Sequence, residues 1–270
     1  MDQRIIPATG EALPVLGLGT WQSFDRPPGA DLSAQRGVVE ILERAGGRLI
    51  DSSPMYGHAE ATVGAVTAGR PPFFYATKVW TQGRDEGVRQ LERSLALLRC
   101  PVLDLAQVHN LVDWKTQLRT LRQWKEAGRV RYIGVTHYSE SAHVALEGVL
   151  RSEPVDFVQV NYSLAERAAA SRLLPLARER GVAVLVNRPF GEGRQLRALA
   201  GKPLPPWAAE LGIGSWSAYL LRYILIHEAV TCVIPATASP DHAAENYAAG
   251  EGPFPDAAAR GRMEAYVATL

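Results

Sequence analysis

Short apolar runs alternate with longer amphipathic stretches along most of the chain. The clearest amphipathic stretch carries apolar residues at Val88, Leu91, Leu95 and Leu98, a spacing that places them on one face of a helix within an otherwise charged segment. Short apolar runs that are separated by helices are typical of parallel strands, because parallel neighbours need a crossover between them. The pattern therefore predicts repeated strand–helix units.

Eight such units account for the chain from residue 16 to residue 248. The predicted strands are 16–20, 48–51, 73–78, 103–108, 131–135, 157–161, 183–187 and 231–235. Helical pattern fills the gaps, near 33–45, 58–69, 88–98, 114–127, 140–150, 166–180, 216–227 and 240–248. Eight units of this kind predict an α/β fold of the (β/α)8 type, the TIM barrel.

Three segments lie outside the repeated units. Residues 4–16 predict a β-hairpin whose prolines suit an edge or a cap, residues 192–213 form an insertion, and residues 256–268 predict an extra C-terminal helix. Without a linker, we expect one domain over residues 1–270. A doubly wound open sheet is the alternative, but the segment 17–21 does not complete the glycine-rich turn that usually marks that fold.

Composition and charge exclude several classes of protein. The 29 Lys and Arg residues nearly balance 28 Asp and Glu residues, for a net charge of +1, so the chain lacks the basic excess of a nucleic-acid binder. The two cysteines predict free thiols, and no His/Cys pair has the spacing of a metal site. Without a signal peptide or an apolar stretch long enough to cross a membrane, we expect a cytoplasmic monomer or weak oligomer with no membrane partner.

Polar residues stand at the ends of successive predicted strands. They are Asp51, Tyr56 in the loop that follows it, Lys78 and His109. Each has an ordinary structural explanation when taken alone, but the C-terminal strand ends of a barrel meet at one site. There an ammonium held by a carboxylate is expected to lower the pKa of a nearby tyrosine, which then donates a proton to a carbonyl oxygen that an imidazole orients. This set predicts carbonyl reduction.

The sequence resembles the aldo-keto reductase family. Four motifs carry the resemblance, at residues 16–21 (LGLGTW), 49–57 (LIDSSPMYG), 76–78 (ATK) and 104–109 (DLAQVH), in the family's order and at similar separations. The resemblance implies a nicotinamide cofactor extended across the strand ends, and a catalytic tetrad of Asp51, Tyr56, Lys78 and His109. Its expected substrate partner is a small carbonyl compound.

The resemblance also implies the contacts of the nicotinamide. Gly19, Thr20 and Trp21 would lie along it, near Asp51, while Thr136, His137 and Gln159 occupy the places of residues that hold the carboxamide. The family usually stacks an aromatic ring on the nicotinamide, but this chain has Asn187 there. The segment continues as Arg188, Pro189, Phe190 and Gly191, and Gly191 and Arg194 are expected near the pyrophosphate.

A second departure concerns the choice of cofactor. In the adenosine motif at 233–246, Thr237, Glu245 and Asn246 match the family, but Ala236 and His242 replace the Lys and Arg that clamp a 2′-phosphate. NADP(H) is the family's usual cofactor. The loss of two cations predicts weaker discrimination and makes NAD(H) a realistic cofactor.

The expected pocket mouth is aromatic and open. Trp21, Met55, Trp80 and Tyr138 fall at or just beyond strand ends, which favours apolar aldehydes or ketones. The short tail after Asn246 predicts no long closing loop. Two alternatives stay open: a nucleotide-retaining regulatory subunit with little turnover, and a Schiff-base lyase, although Asp51 would keep Lys78 protonated and poorly nucleophilic.

Overall fold

Eight parallel strands follow one another around a closed sheet in the computed structural model, which describes residues 1–252 and 254–270. Each strand pairs with the next one along the chain, from Leu18–Gly19 to Val230–Val233. Bridges from Leu16 to Val233 and from Gly19 to Ala236 join the last strand to the first. The prediction of a (β/α)8 barrel is thus confirmed.

The strands and helices alternate as the apolar pattern requires. Strands β1 (Gln3–Ile5) and β2 (Ala12–Pro14) form a hairpin, and the barrel strands are β3 (Leu18–Gly19), β4 (Leu49–Asp51), β5 (Phe74–Val79), β6 (Leu103–His109), β7 (Val130–His137), β8 (Phe157–Asn161), β9 (Ala183–Asn187) and β10 (Val230–Val233). The helices are α1 (Ser33–Arg44), α2 (Ala59–Val66), α3 (Arg84–Leu98), α4 (Trp114–Glu126), α5 (His143–Ser152), α6 (Leu173–Glu179), α7 (Arg194–Leu199), α8 (Trp216–Leu225), α9 (Pro240–Ala248) and α10 (Ala257–Val267).

The barrel interior is apolar at one end and polar at the other. Alternate side chains of a strand share a face, so the inward residues of β6 are Leu105, Gln107 and His109. Leu105 belongs to an apolar cluster of the interior together with Phe74 of β5 and Tyr132 of β7. The inward row therefore turns polar toward the C-terminal strand ends, where the functional residues of such barrels lie.

The N-terminal hairpin closes the apolar end of the barrel. Ile6 and Leu13 are fully buried within the same interior cluster. The Tyr132 hydroxyl lies 2.6 Å from the Thr9 hydroxyl and donates to the Glu11 carboxylate at 2.6 Å. The predicted capping hairpin and the C-terminal helix, α10, are both confirmed.

Several element bounds differ from the expectation by a few residues, and two segments differ more. The predicted helix at 166–180 is a 3₁₀ turn at Ala168–Ser171 followed by α6, which begins only at Leu173. Pro175 lacks a backbone N–H and fits the first turn of α6, where no helical partner is required. The insertion at 192–213 contains α7 and a 3₁₀ helix at Pro206–Leu211. Within the described ranges, no helix combines the length and apolarity needed to cross a membrane.

Candidate active site

A buried ion pair joins two neighbouring strands at the polar end of the barrel. Lys78 of β5 is fully buried, and its Nζ donates to Asp51 Oδ2 at 2.6 Å and to the Ser52 carbonyl at 2.8 Å. Burial alone would lower the pKa of Lys78, but Asp51 and Tyr56 raise it above its usual value. Lys78 is therefore a fixed cation beneath the site.

The second oxygen of Asp51 is held by two glutamines. Gln107 Nε2 donates to Asp51 Oδ1 at 3.2 Å and Gln159 Nε2 at 2.9 Å. Gln159 Oε1 in turn accepts from Thr136 Oγ1 and from Asn187 Nδ2, each at 3.3 Å. This network places the predicted residues Gln159, Thr136 and Asn187 in one polar chain that begins at the ion pair.

Tyr56 lies above Lys78, in the loop after β4. The Lys78 Nζ is 4.9 Å from the centroid of the Tyr56 ring. Burial raises the pKa of the phenol and Asp51 adds to the effect, so that the pKa stays above its usual value although Lys78 lowers it. The expectation of a net lowered pKa is wrong for this structure, because desolvation of the phenolate outweighs the field of the ammonium. Tyr56 is consequently a neutral phenol near pH 7.

His109 completes the group from the end of β6. Its ring lies edge-on to the ring of Tyr56, with centroids 6.1 Å apart, and its Nδ1 is 3.4 Å from Ser53 Oγ. Burial, together with the charge of Lys78, lowers the pKa of His109 to about 3. The imidazole is therefore neutral and has one N–H to donate. The structure thus brings the four residues of the predicted tetrad together.

One cavity of about 1300 Å³ opens above these residues. The predicted residues that line it are Gly19, Thr20, Trp21, Asp51, Met55, Tyr56, Trp80, His109, Thr136, Tyr138, Gln159, Asn187, Arg188, Pro189, Phe190, Ala236, Thr237, His242, Glu245 and Asn246. The volume exceeds the roughly 300–1,000 Å³ of a typical drug-sized site. The cavity therefore has room for an extended ligand beside a small one.

Three predicted cofactor residues do not line the cavity. The His137 ring stacks on Tyr138, and its Nδ1 accepts from the Ser139 N–H at 3.1 Å. The His137 side chain therefore stabilises the turn that follows β7. Gly191 is buried, and its carbonyl accepts from Arg194 Nε at 3.1 Å. For these three residues the structure gives no cavity contact, and their cofactor roles stay predictions.

Arg188 is the residue of this loop that does reach the cavity. It has a left-handed backbone, with φ of 51°, and its guanidinium donates to the Tyr138 carbonyl at 3.1 Å. An ion pair of 3.4 Å joins it to Glu192. The guanidinium thereby links the loops after β7 and β9.

The sequence analysis missed several residues that line the cavity. They include Asn110, Leu196, Ala200, Trp216 and Ser217. Helices that follow barrel strands begin at the C-terminal ends of those strands, so the first turn of α8 lies at the rim. This topological rule could have predicted that Trp216 and Ser217 line the cavity. Leu196 and Ala200 belong to the insertion, whose path the periodicity does not specify.

Two sides of the rim differ in chemistry. The tetrad side consists of Asp51, Tyr56, Lys78 and His109. The α8–α9 side consists of Trp216, Ser217, Ala236, His242 and Glu245, of which Ala236, His242 and Glu245 are exposed. Among the cavity-lining residues that the structure describes, Arg188 is the only Lys or Arg, and it is not on the α8–α9 side.

A carboxylate occupies the α8–α9 side. Glu245 Oε1 accepts from Ser217 Oγ at 2.7 Å. Hydrogen bonds from Ser215 and Ser217 lower the pKa of Glu245, so the group is an anion near pH 7. Ser239 caps α9 by accepting from the His242 N–H at 3.4 Å, which places His242 in the first turn of that helix.

One buried polar atom of the cavity fits the amide of a nicotinamide. Asn187 Oδ1 is buried and, among the described residues, finds no hydrogen-bond donor, so it is ready to accept an amide N–H. A Cβ at Gly19 would lie 2.8 Å from the Ile234 carbonyl, so a larger residue would disturb the rim where β3 meets the segment after β10. In the described ranges, no three His, Cys, Asp or Glu side chains form a group suited to a metal ion.

Comparison with known proteins agrees with this geometry. The model of the Aldo/keto reductase family matches residues 15–261. An aldo-keto reductase of Mycobacterium sp. (strain JLS) is 27% identical over 248 residues, covering 88% of this chain and 84% of that protein. The NADH-specific methylglyoxal reductase of Escherichia coli (strain K12) is 29% identical over 227 residues, covering 72% and 68%.

A solved structure shows the same fold. The crystal structure of an aldo-keto reductase from Klebsiella pneumoniae in complex with NADPH superimposes with a TM-score of 0.82 at 23% identity, covering 98% of this chain and 95% of that one. The barrel and the strand-end site define a TIM-barrel oxidoreductase. The chain belongs to the aldo/keto reductase family.

Proposed function

We propose that this protein reduces aldehyde or ketone carbonyls to alcohols with NAD(P)H, and that Tyr56 supplies the proton. The observation that carries this proposal is the fully buried Lys78–Asp51 pair beneath a phenol that lines the cavity. A bound nicotinamide would supply the hydride. The protein's own side chains would position the carbonyl and donate the proton.

Tyr56 is proposed as the general acid. Its raised pKa keeps the phenol protonated near pH 7, so the proton is present when the carbonyl oxygen gains negative charge. Lys78 then stabilises the phenolate that forms, because its charge lies 4.9 Å from the ring and cannot be screened by water. Asp51 keeps Lys78 charged and in place.

His109 is proposed to orient the substrate. A neutral imidazole at the cavity wall donates one hydrogen bond, and its low pKa prevents it from competing with Tyr56 as a cationic acid. Thr136, Gln159 and Asn187 are proposed to hold the carboxamide, with Asn187 Oδ1 accepting from the amide. Holding both partners in one geometry is the larger part of such catalysis.

The α8–α9 side is proposed to take the adenosine. Its lack of Lys and Arg favours weak discrimination, with NADPH as the usual cofactor of the family and NADH also accepted. Since Glu245 is anionic, it would repel a 2′-phosphate and accept a hydrogen bond from a ribose hydroxyl. One relative is an NADH-specific reductase and one structural neighbour was solved with NADPH.

The pocket mouth favours apolar carbonyl substrates. Trp21, Trp80 and Tyr138 are exposed around the cavity although they are large aromatic residues. Exposed aromatic residues at a concave site usually contact ligands. We therefore propose aromatic aldehydes and ketones as the substrate class, with broad acceptance.

The test is a cofactor-oxidation screen of a carbonyl panel with NADPH and NADH. We expect turnover of several aromatic aldehydes and less than a hundredfold preference between the cofactors. A hundredfold preference for NADPH would contradict the proposed weak discrimination. Cofactor binding without turnover of any carbonyl would favour the regulatory subunit instead.

A further inference from the structure

Trp216 is an aromatic residue of the cavity that the proposed chemistry leaves without a role. It begins α8 and lines the cavity together with its neighbour Ser217. Ser217 donates to Glu245, and Asn246 follows Glu245 at the cavity wall. Trp216 therefore lies on the α8–α9 side, next to the residues of the proposed adenosine site.

The indole is fixed from several directions. Its Nε1 donates to the Lys202 carbonyl at 2.9 Å, which sets the orientation of the ring. Tyr266 of α10 stacks on it at 6.5 Å between centroids, with the planes 21° apart, and Tyr219 contacts it edge-on at 5.0 Å. A residue held in this way keeps its ring plane when a ligand binds.

The surroundings show what such a ring would recognise. Because the α8–α9 side has no Lys or Arg among its described residues, no guanidinium there can stack on a base. His242 is exposed and its imidazole is a smaller ring. The indole of Trp216 is the largest planar group of this side, and base–aromatic stacking is worth about 1–3 kcal/mol.

We propose that Trp216 is the stacking platform for the adenine ring of the cofactor, with Tyr266 and the C-terminal helix as its support. This inference rests on the proposed function, because it assigns the adenosine to the α8–α9 side. In this proposal α10 contributes to cofactor binding because its Tyr266 supports Trp216, and no loop has to close over the cofactor. Trp216 touches the cofactor in this proposal but takes no part in proton transfer.

Calorimetric titration with two cofactor fragments measures the affinity for each half of the cofactor on its own. ADP-ribose carries the adenine and reduced nicotinamide mononucleotide does not. The substitution Trp216→Leu retains apolar bulk without a large π-face, and we expect about a tenfold weaker affinity for ADP-ribose and NADH. Affinity for the mononucleotide should be unchanged, while Trp216→Phe should bind ADP-ribose within about threefold of the unsubstituted protein.

Trp207 provides a matched control. It belongs to the same aromatic cluster, 6.2 Å from Tyr219 and 6.3 Å from Tyr266, but it does not line the cavity. Trp207→Leu should therefore leave the affinity for ADP-ribose unchanged. Equal losses in Trp207→Leu and Trp216→Leu would overturn the proposal, since they would point to a general loss of packing. An unchanged affinity in Trp216→Leu would overturn it as well.

Two further results separate this inference from the proposed function. If the unsubstituted protein binds none of ADP-ribose, NADH and NADPH, the proposed function itself fails. If it binds ADP-ribose, a structure of that complex should show the adenine parallel to the indole, and an adenine away from Trp216 would refute the platform. That structure decides the question even if Trp216→Leu does not fold.

Discussion

The tetrad side and the α8–α9 side of one cavity are built on different principles. On the tetrad side, Lys78 and Asp51 are buried and joined by hydrogen bonds to two glutamines. On the α8–α9 side, Ala236 is exposed on the loop after β10, and His242 and Glu245 are exposed on α9. A buried network tolerates few substitutions, because each unpaired polar group is costly, whereas an exposed rim tolerates many.

This difference accounts for one of the two departures of the chain from its family's pattern, the one on the α8–α9 side. The residues expected for proton transfer are all present on the tetrad side, whereas the two expected cations are missing from the α8–α9 side. The comparison predicts that substitutions on the tetrad side affect the chemical step and the stability. Substitutions on the α8–α9 side should change only the affinity for the cofactor.

The largest expected effect is that of Tyr56→Phe. Removal of the hydroxyl deletes the proposed proton donor, and general acids of this kind contribute about 10²–10⁴-fold. We expect kcat to fall by about that factor in a cofactor-oxidation assay, with unchanged calorimetric affinity for NADPH. Activity that remains within tenfold of the unsubstituted protein would refute the role of Tyr56.

Lys78→Met should reduce both turnover and stability. The substitution leaves the Asp51 carboxylate buried without its cation, and breaking one partner of a buried pair costs about 3–5 kcal/mol. We expect a clear loss of stability in urea unfolding and a loss of kcat of about 10²-fold, because the phenolate loses its nearest charge.

The double variant Asp51→Asn with Lys78→Met is the matched control. It removes both charges, so it should recover part of the stability while its turnover stays low. Equal stability of the two variants would show that the buried carboxylate is not the cause of the loss.

Ala236→Lys tests the exposed side. A cation at this position should strengthen NADPH binding by about tenfold through a charge-assisted hydrogen bond, with NADH affinity and kcat unchanged. Calorimetric titration with both cofactors checks the result. The control Ala236→Gln offers a hydrogen bond without the charge and should give a smaller gain.

The smallest expected effect is that of pH. Tyr56 donates in its protonated form, which is present below its pKa, and burial raises that pKa above its usual value. His109 is already neutral, since its pKa is about 3. The kcat/KM for carbonyl reduction should therefore stay constant between about pH 6 and 9 and fall only at higher pH. A decline with an apparent pKa near 7 would contradict the assignment.

The sequence predicted the tetrad side better than the α8–α9 side for a physical reason. Strand ends follow from the period of two along a strand, so Asp51, Lys78 and His109 could be assigned to one rim. The position of Leu196 depends on how the insertion at 192–213 returns to the barrel, which local periodicity does not encode. The direction of the Tyr56 pKa shift was wrong because burial is a property of the fold.

The transfer of deuterium to product from NADPH that carries deuterium at both C4 positions tests the central claim most directly. With an aromatic aldehyde and the unsubstituted protein, we predict one deuterium atom at the carbinol carbon of each alcohol molecule formed, as read by mass spectrometry. Alcohol formed without deuterium at that carbon, or oxidation of the cofactor without alcohol, would contradict carbonyl reduction by this protein.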